Sequence, residues 1–179
     1  MCQRFGVTKC SKTMSYVASR RLDGEHGRSS VDIPYRGAVD SMIWVAVMTQ
    51  PDIAISVRDV AKYSIELNAV HWPPVKDVLG YLNTHLNRGA TFGGPCTRCE
   101  LRAYANAPNA CCRNDSRSVT GGAIIFYGGA VSWVSKTQRI VAMSTTESEY
   151  IALSAVAQEV LLVRSVHEFL QPNVEKCVF

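Results

Sequence analysis

Residues 119–147, "VTGGAIIFYGGAVSWVSKTQRIVAMSTTE", constrain the fold more than any other stretch of this chain. Two runs rich in β-branched and aromatic residues, 119–127 and 130–136, flank Gly128-Gly129. Strand-like runs joined by a glycine pair predict a β-hairpin with its turn at those glycines. A short extended piece over 139–142 follows. Ser144-Thr145-Thr146-Glu147 then fits the S/T-x-x-E capping box that starts a helix. The spacing predicts a helix to about Leu170, with a break near Gln158, and Pro172 ends it. Tyr150, Leu153, Ala157 and Leu161 are expected to face a sheet. Upstream, Leu101, Ala103 and Ala105 alternate with Arg102 and Tyr104 as a first strand. Three antiparallel strands followed by a helix specify an α/β layer.

The first half of the chain has a different period. From Tyr35, the stripe Val39, Met42, Ile43 and Ala46 is helical. Pro51 suits the first position of a second helix, in which Ile53, Val57, Val60, Ala61 and Ser64 recur. A third helix starts after Trp72, tolerating Pro73 and Pro74 in its first turn, with Val75, Leu79, Leu82 and Leu86 as its stripe. Such stripes are packing signals and carry no chemistry. "NRGATFGGPCTRC", with three glycines and a proline, is the natural boundary between halves. The expected organisation is an irregular segment over 1–34, a helical region over 35–93 and the sheet-and-helix region over 94–179.

Charge is unevenly spread. The chain carries a net +4, and residues 1–36 hold seven basic and three acidic residues, so that segment accounts for all of it. A basic arm can touch nucleic acid, although a solvated surface segment is the more ordinary role. At 47 % hydrophobic the chain can bury a core. No apolar run reaches the roughly 18 residues of a membrane span, and the start lacks an apolar signal core. An intracellular protein, cytoplasmic or nuclear, is expected, and with it seven reduced cysteines rather than a disulfide framework. Cys96 and Cys99 with Cys111 and Cys112 approach zinc-ligand spacing. The second pair is adjacent, however, and no histidine is placed to help, which argues against a tetrahedral site.

The run "SWVSKTQRIVAMSTTESEYIALSAVAQEVLLVR", with "RSVTGGAIIFYGGAVSW" before it, resembles the ribonuclease H segment of copia-type LTR-retrotransposon Pol polyproteins. "PYRGAVDSMIWVAVMTQPDIAISVRDVAKYS" and "HWPPVKDVLGYL" resemble the helical connection that precedes it, and "QRFGVTKCSKTM" the end of the reverse transcriptase region. The resemblance implies an RNase H-like fold, a five-stranded mixed sheet whose first three strands are antiparallel. It also implies hydrolysis of RNA in RNA–DNA hybrids by acidic residues that hold two Mg²⁺ ions.

What the resemblance implies for the site depends on each position. The family's first aspartate ends the first strand in a motif like Tyr-Ser-Asp-Ala-Asp, which matches Tyr104-Ala105-Asn106-Ala107-Pro108. Asn106 stands at the aspartate position and Pro108 at the second acidic one. The family's glutamate matches Glu149. Glu147, about 200° away around the helix, is the capping-box partner instead. Asp115, in a loop, is a poor substitute for the lost aspartate. The family's later acidic positions, beginning with an Asp-Asn motif on the fourth strand, fall past Phe179. Thr145 and Thr146 match the turn that contacts the RNA backbone and 2′-hydroxyls, and Arg117, Lys136 and Arg139 are candidate phosphate contacts, though all five have ordinary structural roles open to them.

The expectation is a truncated RNase H-like unit behind a helical connection region: a fragment of a Pol polyprotein that is catalytically inactive and binds no Mg²⁺ productively. A silent nucleic-acid- or protein-binding module and an active Mg²⁺-dependent ribonuclease H are the alternatives. RNA–DNA hybrid is the expected nucleic-acid partner. With no fourth strand beside it, the 101–105 strand is expected to be an open edge that invites a strand-donating partner or self-association.

Overall fold

The computed structural model describes residues 2–7, 33–65, 69–92, 100–108 and 116–171. The chain divides into two compact units, Met1–Gly89 and Ala90–Phe179. Most of the basic 1–34 segment, all four candidate zinc cysteines and Asp115 lie outside the described residues.

The first unit is helical. Helices α1 (Tyr35–Met48), α2 (Ala54–Ala61) and α3 (Trp72–Thr84) are its main elements. Pro51 opens a 3-10 turn, Pro51–Ile53, that leads into α2, and Pro73 and Pro74 sit in the first turn of α3, where a missing N–H costs no intrahelical bond. The core joins Tyr35, Ala38, Val39, Met42 and Ala46 of α1 to Ile53, Val57 and Val60, and to Val75, Val78, Leu79 and Leu82 of α3. Ile43 and Leu86, expected in these stripes, are exposed; Leu86 lies beyond the end of α3. The buried Tyr35 hydroxyl donates to the Val60 carbonyl at 2.7 Å, tying α1 to the end of α2.

The second unit is α/β. Strands β1 (Leu101–Asn106), β2 (Val119–Phe126) and β3 (Gly129–Thr137) pair antiparallel in the order β1-β2-β3. Helix α4 (Thr145–Leu170) packs on one face. In the register Leu101 faces Phe126 across the β1–β2 ladder and Asn106 faces Gly121. Among the described residues β1 pairs only with β2, so its other edge is open.

Three local expectations are corrected. The hairpin turn is Tyr127-Gly128, one residue earlier than the glycine pair, and Gly129 begins β3. Tyr127 and Gly128 have φ values of 49° and 74°, the doubly left-handed signature of a type I′ turn that matches strand twist. Residues 139–142 form no strand, and α4 runs through Gln158 without a break.

A fourth correction concerns the face of α4. Ser148, Ala152 and Val156 are the buried positions, and Val156 packs with Leu101 and Ile124. Tyr150, Leu153 and Leu161 point outward, 68 %, 55 % and 60 % exposed, and Ala157 is exposed with them. The helix approaches the sheet so closely that a Cβ on Gly122 would collide with the Val156 side chain. Small residues at the contact, Gly122 and Ala152, determine which face lies inward, and the bulkier stripe is left outside.

Candidate functional site

The end of β1 meets the first turn of α4. Asn106 is the last residue of β1 and is exposed, as is Pro108. Between them Ala107 is buried, and its carbonyl oxygen lies 3.4 Å from the Ser148 hydroxyl. Ser148 also donates to the Thr145 carbonyl at 2.7 Å. Glu149 follows Ser148 directly and is exposed. Asn106 and Glu149 are therefore the immediate chain neighbours of two residues in contact.

The helix start is built as the capping pattern requires. The Ser144 hydroxyl accepts from the Glu147 N–H at 3.1 Å. The Glu147 carboxylate reaches back to accept from the Met143 N–H at 2.7 Å, one residue before the usual partner. Glu147 is occupied in holding the turn, as its place around the helix implies. Thr145 and Thr146 occupy the first two helical positions with exposed side chains.

Gln138 holds this corner together. It is 4 % exposed, and its side-chain amide donates to the Ser148 carbonyl at 2.9 Å and to the Thr120 hydroxyl at 3.2 Å. Its own N–H donates to the Ser118 carbonyl at 2.9 Å. Because the Ser148 carbonyl can only accept, the orientation of the amide is fixed. One buried glutamine thus links the end of β3, the start of β2 and the first turn of α4. Lys136 and Arg139, on either side of it, are exposed, and Arg117 is half-buried. Sequence reasoning gave Gln138 and Ser148 no role. Their chain neighbours, Thr137 and Arg139 for Gln138 and Glu147 and Glu149 for Ser148, are polar, so nothing in the local pattern marks either residue as buried.

Among the described residues, the donor chemistry at the β1–α4 junction is one carboxylate, Glu149, and one carboxamide, Asn106; proline at 108 supplies no ligand side chain. Two Mg²⁺ ions bring four positive charges and favour anionic oxygens, so these residues do not fit a pair of such ions. Among the described residues no group of three His, Cys, Asp or Glu side chains converges, and no helix is long and apolar enough to cross a membrane.

Several known proteins similar to this chain are Pol polyproteins of plant transposons. The Pol polyprotein of transposon TNT 1-94 from Nicotiana tabacum is 38 % identical over 139 residues, 78 % of this chain and 10 % of that protein. The retrovirus-related Pol polyprotein of transposon RE2 from Arabidopsis thaliana is 33 % identical over 139 residues, 74 % of this chain and 9 % of that protein. A Plasmopara viticola protein named Secreted RxLR effector protein 161 is 38 % identical over 128 residues, 72 % of this chain and 89 % of that protein. No protein-family profile and no solved structure matches. The chain spans about a tenth of the length of the Pol polyproteins it matches. On identities of 32–38 % over most of its length, the chain belongs to the family of retrovirus-related Pol polyproteins of copia-type plant transposons.

Proposed function

We propose that this chain is an intracellular, catalytically silent segment of the Pol lineage, corresponding to the reverse transcriptase–ribonuclease H connection and the start of a ribonuclease H-like unit. The observation that carries the reading is Asn106 at the end of β1, beside the turn of α4 that carries Glu149. Asparagine matches aspartate in size and keeps one carbonyl oxygen, but it brings no charge. A carboxamide and a lone carboxylate leave two dications without the negative charge that would offset their mutual repulsion. The experiment is incubation of the purified chain with labelled RNA–DNA hybrid and Mg²⁺. No cleavage above the buffer control is expected. Metal-dependent cleavage that disappears in Glu149→Ala overturns the reading.

Hybrid binding without cleavage is the second reading. The exposure of Thr145, Thr146, Lys136 and Arg139 around the start of α4 and the end of β3 supports it. Phosphate contacts release counterions, so binding through them weakens steeply with salt. Hybrid affinity that falls with salt, and that falls further in a Lys136→Ala, Arg139→Ala double variant, supports this reading; affinity indifferent to both refutes it.

A further inference from the structure

The stripe on the outer side of α4 reads the same in both directions. Tyr150, Leu153, Ala157, Leu161 and Arg164 are spaced 3, 4, 4 and 3 residues apart. At about 100° per residue they fall within an arc of about 80°, on the side away from the buried Ser148, Ala152 and Val156. The mean spacing is that of a helix–helix seam rather than of a helix lying on a sheet. Tyr150, Leu153 and Leu161 are all more than half exposed, and Ala157 is exposed at the centre.

We propose that this face of α4 is a self-association surface that takes the same face of a second copy, antiparallel, about a two-fold axis at Ala157. That axis places Leu153 against Leu161 of the second copy and Leu161 against its Leu153. The small Ala157 meets its own counterpart, which lets two backbones approach closely. Tyr150 meets Arg164, a guanidinium opposite an aromatic ring. The Arg164 guanidinium donates to Glu168, one turn further along the helix, at 2.8 Å, and its side chain is 40 % exposed. The pattern also selects the partner. A surface that pairs leucine with leucine, alanine with alanine and tyrosine with arginine under reversal is complementary to itself, as a two-fold contact requires. A parallel pair in register would instead place Arg164 against Arg164. The proposal does not rest on the metal chemistry at the β1–α4 junction, although Tyr150 directly follows Glu149.

The test is sedimentation velocity of the full chain over a range of concentrations, with circular dichroism to check folding. A concentration-dependent monomer–dimer equilibrium is expected. Leu153→Glu alone and Leu161→Lys alone each place a charge against leucine and are expected to shift the chain to monomer while leaving its fold intact, since both side chains are exposed. The double variant places Glu opposite Lys twice in the antiparallel arrangement and is expected to restore the dimer. A wild-type chain that stays monomeric throughout overturns the proposal. So does a dimer indifferent to either single variant, or a double variant that remains monomeric.

Discussion

Gly122→Ala tests the close contact between α4 and the sheet. A Cβ at this position meets Val156 Cγ2 well inside contact distance, Val134 Cγ1 at 3.0 Å and the Tyr104 carbonyl oxygen at 3.4 Å. Val156 is 3 % exposed and β-branched, so χ1 rotation offers no easy escape and α4 must back away. Overpacking of this kind costs about 1–3 kcal/mol. Replacing a strand glycine restricts the unfolded chain and returns about 0.5–1 kcal/mol. The net loss is centred on about 1 kcal/mol, which lowers the urea midpoint of the second unit by about 1 M at a slope near 1 kcal/mol/M. Equilibrium unfolding followed by circular dichroism and by tryptophan fluorescence, to which Trp133 contributes from the second unit, measures it. Adding Val156→Ala removes the colliding methyl, so the two changes together should cost about 1 kcal/mol less than their sum. A midpoint equal to or above that of the parent refutes the packing account.

Other expectations follow from the same geometry. Gln138→Ala removes the buried bonds from the end of β3 to the Ser148 carbonyl and the Thr120 hydroxyl, and a loss of about 1–3 kcal/mol is expected in urea titrations. Ser144→Ala removes the cap on the Glu147 N–H and should cost about 0.5–2 kcal/mol by thermal melting, whereas Ser144→Asp should be nearly neutral. Burial, with a smaller contribution from Tyr63, holds the Tyr35 hydroxyl protonated well above the ordinary tyrosine range. The unfolded chain releases that proton near pH 10 while the folded chain keeps it, so stability is full below about pH 10 and falls by about 1.4 kcal/mol per pH unit above it. The carboxylate of Asp52 raises Tyr81 in the same direction. Tyr35→Phe should therefore flatten the alkaline slope in part, at a cost of about 1 kcal/mol at neutral pH from the lost bond to Val60.

Features governed by local rules were legible in the sequence. The capping box at Ser144–Glu147 and the prolines at the starts of two helical segments follow from the residues that form them, and β1 forms where its alternation predicts a strand, although only Leu101 of its apolar positions is buried. The hairpin was legible too, but its turn moved one residue because Tyr127 accepts a left-handed conformation that leaves Gly129 free to pair with Phe126. The inward face of α4 was not legible. Two apolar stripes run along the helix, Tyr150, Leu153, Ala157 and Leu161 on one side and Ala152, Val156, Val160 and Val163 on another, and spacing alone does not choose between them. The contact with the sheet is decided instead by how near the backbone can come, and Gly122 against Val156 decides it. At the candidate site, Asn106 and Glu149 were readable only through resemblance to a family. The contact beside them, from Ala107 to Ser148, and the Gln138 links that brace it depend on tertiary structure and leave no periodic trace.

The central claim is that the residues at the β1–α4 junction do not hold a pair of divalent metal ions. Titration calorimetry with Mg²⁺, on the parent chain and on Asn106→Asp, tests it most directly. The account expects no saturable heat for the parent in the low-millimolar range, and a measurable gain when the charge is restored at position 106. Saturable binding by the parent that is abolished in Glu149→Ala contradicts it.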